Sequence, residues 1–275
     1  MYDPKTKKYP FPEDTGSHYI ILKENVGTVF DTDYPYYDHS KKMKRKQAFT
    51  RFLLHLIVFP ICRIRLGLRI HGKKNIKEHA ELLKKGVVSC SNHVHFWDFI
   101  AIMDAVKPFK PYVLVWAENV RGENRHLIRK VRGVPIPDSG FHALNVMSQE
   151  TKKHIEDGAW VHVYAEGSMW EYYMPVRPFK DGASFYSASC DKPIVPLGFS
   201  YRRPGWIRRI IFKQIALFDL HIGEPLFPNH SLPFEERKTD LVKRSHAAVC
   251  RLCGIDPEDN LYPPVYDHST RVDYY

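Results

Sequence analysis

The run Ser91-Asn92-His93-Val94-His95-Phe96-Trp97-Asp98 sets a histidine and an aspartate five residues apart, directly after Gly86-Val87-Val88-Ser89-Cys90, which reads as a short buried strand. Phe96 to Met103 then reads as a mostly apolar helix. On one continuous helix this spacing would turn the two side chains about 140° apart. They meet only if His93 lies on the strand-to-helix turn and Asp98, early in the helix, reaches back to it. The carboxylate then accepts from one ring nitrogen and leaves the other to take a proton, as a general base requires. The alternative is a capping aspartate beside a surface histidine. Spacing does not choose between them: 15 histidines and 17 aspartates in 275 residues give about one such match by chance, and His268 with Asp273 is another.

Two further constellations occupy similar places. Ala165-Glu166-Gly167-Ser168 follows the strand candidate Trp160-Val161-His162-Val163-Tyr164, and Arg177-Pro178-Phe179-Lys180-Asp181-Gly182 precedes a helix candidate, Gly182 to Ser189. A carboxylate on a turn beside basic residues suits a polar ligand, although an isolated Glu-Gly turn is common and Arg177 with Lys180 can be an ordinary solvated pair.

Elements that must position these turns alternate along the chain. Ile76 to Lys85 reads as a helix, Tyr112 to Trp116 as a strand, His126 to Val131 as a short helix, and Gly133-Val134-Pro135-Ile136-Pro137 as a turn. Ala143 to Asp157 reads as a helix, Pro193 to Phe199 as a strand, and Phe234 to Leu252 as a closing helix. The alternation predicts a single α/β domain with a mixed, largely parallel sheet flanked by helices, and ligands at the carboxyl ends of strands.

A formal net charge of +10 implies an anionic partner. Lys41, Lys42, Lys44, Arg45 and Lys46 precede the most hydrophobic stretch, Phe52 to Cys62, which Arg63 and Arg65 close. Eleven residues are too few for a span, which needs ~20, and Pro60 should kink or end a helix. An interfacial or re-entrant segment on an anionic membrane surface fits, each cation adding ~1 kcal/mol, with a helix packed on the core as the alternative. The basic residues adjoin an apolar run rather than an aromatic-studded strand face, which argues against nucleic acid. The polar first 40 residues read as no secretory signal, so the expected location is the cytoplasmic face of a membrane. Five scattered cysteines argue against a disulfide framework; Cys250 and Cys253 lack a second ligand pair and read as a buried helix face, and His93 with His95 makes a poor metal site. The expected organisation is an irregular extension over 1–40, a membrane-associating segment over 41–70, an α/β domain over 71–254 and a tail over 255–275.

The ordered blocks Asn92-His93 with Asp98, Gly133-Val134-Pro135-Ile136-Pro137, Ala165-Glu166-Gly167-Ser168, Phe179-Lys180-Asp181-Gly182-Ala183 and Ile194-Val195-Pro196 resemble those of the glycerolipid acyltransferase family, whose members include 1-acylglycerol-3-phosphate acyltransferase. The resemblance covers about residues 66 to 200. It implies transfer of a fatty acyl group from an acyl thioester, acyl-CoA or acyl carrier protein, to the hydroxyl of a lysophospholipid acceptor, with no further cofactor. His93 is then the general base, oriented by Asp98, and Asn92, Arg132, Glu166, Gly167, Arg177 and Lys180 are the expected substrate-binding residues. Two departures concern the acceptor: Pro137 and Asp138 stand where the family carries an arginine, and Ser168-Met169 where it carries Thr-Arg. Arg132, Arg177 and Lys180 can replace the missing charge, or the acceptor is another lysolipid or glycolipid. Trp170, Tyr172 and Tyr173 can stack on a sugar, cover an acyl chain or simply pack. A reading from another class keeps the fold and loses the reaction: a peripheral lipid-binding protein with a degenerate site.

Overall fold

In the computed structural model, which describes residues 17–18, 27–121 and 125–260, seven strands form one sheet. They are β1 (Arg69–His71), β2 (Val87–Ser91), β3 (Tyr112–Trp116), β4 (Gly133–Ile136), β5 (Trp160–Tyr164), β6 (Ile194–Arg202) and β7 (Leu217–Ile222), in the spatial order β1-β7-β6-β2-β5-β3-β4. The five strands from β6 to β4 are parallel to one another; β7 is antiparallel to β6 and pairs in parallel with β1. This is the mixed, largely parallel α/β domain that the alternation predicts.

Helices cover both faces of the sheet. On one side Phe141–Glu156, Gly182–Cys190 and Phe234–Leu252 close over Val88, Cys90, Val161 and Val163. On the other, Phe59–Leu66 and Asp98–Ala105 close over Val87, Val195, Leu197 and Phe199. Periodicity explains the fit: Ala143, Met147, Thr151 and Ile155 recur every four residues and form the buried stripe of their helix. Each large aliphatic side chain so buried contributes ~1.5–3 kcal/mol.

Several elements differ from the sequence reading, and the helix expected over Ile76 to Lys85 is two short ones, Lys73–Glu78 and Ala80–Leu83. Residues 133–136 form strand β4 rather than a turn; β4 is the sheet edge, where Pro135 removes no N–H that an inner ladder would need. β1 and β7 were not expected, and β1 begins at Arg69, ahead of the expected domain boundary. Pro60 does not end the helix that precedes it. Lys41–Leu53 runs into a π-helical segment, Leu54–Val58, and on into Phe59–Leu66, the widened turns accommodating the N–H that Pro60 lacks. Among the described residues no helix is long and apolar enough to cross a membrane. His268 and Asp273 lie outside the described residues.

Candidate active site

Adjacent parallel strands bring the two motif turns together. β2 and β5 pair in register from Val87 opposite Trp160 to Ser91 opposite Tyr164, so both end at the same level and the turns carrying His93 and Glu166 emerge side by side. Asp98 is the first residue of the helix Asp98–Ala105, and its carboxylate turns back toward β2. His93 Nδ1 lies 2.6 Å from Asp98 Oδ2, as the turn geometry requires. The same oxygen accepts from the backbone N–H groups of Val94 and His95, at 3.2 and 3.4 Å. Tyr164 donates its hydroxyl to Asp98 Oδ1 at 2.7 Å and lays its ring against the imidazole, centroids 3.7 Å apart.

Charge fixes the proton on this pair. Burial pushes the Asp98 carboxyl up, but the charge of and hydrogen bond from His93, with the hydrogen bond from Tyr164, more than offset this and hold it below the usual carboxylate range. Burial and the neighbouring Asp98 charge push the Tyr164 phenol well up, so it stays protonated and donates. An ionised carboxylate only accepts; in the neutral form of the ring the proton therefore sits on Nδ1 and the lone pair on Nε2. The His93 side chain is 21% exposed and Asp98 1%, so the ring is reachable while its partner is sealed. Beneath them runs a polar ladder along β2 and β5: Trp160 Nε1 donates to Ser89 Oγ at 2.8 Å, and His162 lies between Ser89 Oγ and Ser91 Oγ at 2.9 and 3.4 Å. Burial pushes His162 down to about 3 and His95 to about 4, leaving both rings neutral.

Glu166 holds the His93 turn, with its carboxylate turned inward rather than to open surface. Its Oε2 accepts from the His93 backbone N–H and from Arg177 Nη2, each at 2.9 Å, and its Oε1 from the Arg177 N–H at 2.8 Å. Arg177 Nη1 donates to Ser168 Oγ at 2.7 Å, and Nη2 also reaches the Ser168 carbonyl. Both members of the ion pair are 1% exposed at their side chains. Asn92 is likewise buried, exchanging hydrogen bonds with the Phe199 backbone at 3.0 and 2.9 Å and fastening the end of β2 to β6.

Among the expected substrate-binding residues, the structure therefore brings Asn92, Glu166 and Arg177 to the site as positioning groups rather than as ligand contacts. Arg132 is not brought there: it precedes β4, at the opposite end of the parallel strands, where it lies over the Tyr112 ring and reaches the Lys110 carbonyl. Only Gly167 and Lys180 remain on open surface. Gly167, at φ +77°, has the Lys180 ammonium within 2.8 Å of where a Cβ would stand, and Lys180 makes no ion pair among the described residues. Asp138, where the resembled family carries an arginine, engages Arg121 through two contacts of 2.5 Å.

Tyr164 and His162 were missed; each reads in sequence as an ordinary strand residue, while Ser168, singled out only as a departure from the resembled family, proves to be a partner of Arg177. His18 was missed too: it stacks on Trp116 at 4.0 Å, while Trp170 Nε1 donates to the Ser17 carbonyl at 3.1 Å.

A partly exposed, carboxylate-held histidine beside exposed Gly167 and Lys180 can accept a proton from a hydroxyl brought over that surface. Residues 67–200, which contain every one of these groups except His18, match the protein-family model described as Acyltransferase. That segment is an acyltransferase-family domain. Among solved structures, the crystal structure of the 1-acyl-sn-glycerophosphate acyltransferase PlsC from Thermotoga maritima is similar to this acyltransferase, with 18% identity, coverage of 77% of this chain and 83% of that one, and a TM-score of 0.47. No curated protein sequence matches. As to metals, one group among the described residues has ligand atoms close enough to hold an ion, His71, Asp219 and His221, within 4.8 Å of one another. It lies on β1 and β7, apart from His93, with Asp219 already paired to Arg202 at 2.5 Å and to His71 at 3.0 Å. All five cysteines are free; Cys250 is buried on the closing helix, and Cys253 lies just past its end.

Proposed function

We propose that this acyltransferase moves a fatty acyl group from a coenzyme A or carrier-protein thioester to the hydroxyl of a lysophospholipid such as 1-acylglycerol-3-phosphate. The observation that carries the reading is the His93 ring, Nδ1 held by the ionised Asp98 and Nε2 left with its lone pair. As the acceptor oxygen attacks the thioester carbonyl, Nε2 takes the hydroxyl proton and Asp98 stabilises the imidazolium; the carbon–sulfur bond then breaks and the departing thiolate recovers that proton. A thioester is already activated, so no covalent enzyme intermediate is needed. Lys180 contacts the anionic part of a substrate across Gly167. The basic and apolar segment 41–66 attaches the protein to an anionic membrane surface, on the cytoplasmic face, where such acceptors reside.

One observation favours a different acceptor. Arg177 and Arg121 are both paired with carboxylates, and Arg132 lies at the far end of the sheet, which leaves Lys180 as the exposed cation beside Gly167. A lysolipid or glycolipid with less headgroup charge fits that supply. Free-thiol release in detergent, with lysophosphatidate, a neutral lysolipid and a lyso-glycolipid as acceptors, separates the cases. Release stimulated by lysophosphatidate, with KM raised ~10-fold in Lys180→Ala, supports the phosphate-bearing acceptor. Release with another acceptor alone changes the substrate; release with none, from either donor, leaves a lipid-binding protein.

A further inference from the structure

The chain leaves β6 at Arg202 and returns to β7 at Leu217 through an excursion that contains a short helix, Trp206–Ile210. Trp206, Ile207, Ile210, Ile211 and Phe212 are each between 46% and 69% exposed. Five large apolar side chains presented together within seven residues lose the burial that normally holds such residues inside. Neither folding nor the chemistry at His93 uses them.

Their surroundings specify what covers them. Arg203, Arg208 and Arg209 precede or interleave with the apolar residues, and no acidic residue occurs between Tyr201 and Leu217. The excursion is fastened to the end of the helix Phe59–Leu66: Arg208 Nη1 donates to the Ile64 carbonyl at 2.8 Å, and Gln214 Nε2 to the Arg65 carbonyl. That helix and the turns before it expose Phe52, Leu56, Ile57, Ile61 and Ile64 in the same way, and residues 41–66 contain no acidic residue either. An apolar protein surface would bury the side chains and leave these cations without counter-charge. An anionic bilayer supplies both, with acyl chains for the apolar side chains and phosphate for the rim, and an interfacial tryptophan is suited to that depth.

We propose that the β6–β7 excursion, Trp206–Phe212, is a second bilayer-inserting element that docks together with the exposed face of residues 49–64. The proposal rests on the membrane reading given above and adds an element and an orientation to it. β6 is parallel to β2, so the excursion leaves the sheet at the end where the His93 and Glu166 turns emerge. Phe96, on the catalytic turn, is 58% exposed, and the Arg65 guanidinium lies 5.5 Å over the ring of its neighbour Trp97. Docked on both elements, the protein holds the mouth of its site against the lipid surface, and an acceptor reaches His93 without its acyl chain crossing water.

Flotation with vesicles of phosphatidylcholine alone and of phosphatidylcholine with phosphatidylglycerol tests this on the full chain. Three proteins are compared: the unchanged chain, Trp206→Glu/Ile210→Glu/Ile211→Glu, and Phe52→Glu/Leu56→Glu. The expected result is binding of the unchanged protein to the anionic vesicles, weakened ~10-fold or more in each variant. Thiol release in detergent and the thermal transition of the excursion variant should stay near those of the unchanged protein, which separates lost docking from lost folding. Excursion-variant binding equal to that of the unchanged chain, with the helix variant impaired, overturns the second element and leaves the membrane reading standing. Failure of the unchanged protein to bind either vesicle overturns both. An unchanged chain that sediments as a dimer, beside an excursion variant that sediments as a monomer and binds vesicles normally, would assign this face to a second copy of the chain, which also overturns the proposal.

Discussion

The two ends of the parallel strands are closed by different means. At the amino ends of β2 and β5 the turns depend on glycine: Gly86 and Gly158 sit at φ +110° and +93°, and a Cβ would stand 1.9 Å from the Ile155 carbonyl oxygen at one and 2.6 Å from the Lys84 carbonyl oxygen at the other. Backbone packs on backbone there with no room for a side chain. At the carboxyl ends the turns are tied by side chains, with Asp98, Glu166, Arg177 and Asn92 bonded to the backbone of their neighbours. Shape alone needs only the first device. Polar ties hold a turn and also fix the charge and tautomer of a group upon it, so chemistry and stability are joined at one end and separable at the other.

Glu166→Ala should break this contrast most severely. It leaves the Arg177 guanidinium buried without its carboxylate and frees the His93 N–H, at a cost of about 3–5 kcal/mol in denaturant unfolding together with a fall in turnover. A loss of stability with turnover intact would show that Glu166 does not hold His93 for chemistry. Gly86→Ala should cost roughly 3 kcal/mol, through backbone strain and the Ile155 contact, yet leave kcat unchanged at a temperature where the protein is folded. A selective loss of kcat there would dissolve the distinction between the ends.

Acid should weaken the carboxyl end of the strands. His162 is held near 3 when folded against about 6.5 when unfolded, so between those values the unfolded chain binds a proton that the folded chain does not. Its stability contribution is complete above pH 6.5 and declines as pH falls, by about 2 kcal/mol between pH 6.5 and pH 5. Urea unfolding at the two pH values measures it, and the slope should drop by one proton in His162→Asn. Tyr164→Phe should have the smallest effect, about 1 kcal/mol of stability with turnover reduced ~10-fold, because Asp98 keeps His93 and two backbone donors but loses the phenol. Unchanged turnover would confine Tyr164 to packing.

How much of this was legible in the sequence depended on whether the signal was local. The helices over 141–156 and 234–252 follow from four-residue apolar spacing, and the His93 turn from a strand followed by a helix start. β1 is only three residues long with two polar ends, and in β7 Asp219 and His221 interrupt the apolar run, so neither read as a strand. Arg132 was assigned to the wrong end of the sheet because a basic residue beside a family block carries no sign of which end of a strand it flanks. Arg177 read as a ligand contact because its counter-charge, Glu166, lies eleven residues away on another turn. Tyr164 ends a strand as an aromatic residue, which looks like core until Asp98 is placed beside it. The apolar excursion after β6 passed unremarked, since exposure is a property of the fold alone.

The most direct test of the central claim is single-turnover acyl transfer by His93→Ala beside the unchanged protein, with the thermal transition of each recorded. Among the described residues the His93 ring closes no turn and hydrogen-bonds through Asp98 alone, so transfer slowed at least ~10²-fold with little change in melting temperature is expected. Transfer within about twofold of the unchanged rate would contradict the assignment of His93 as the base.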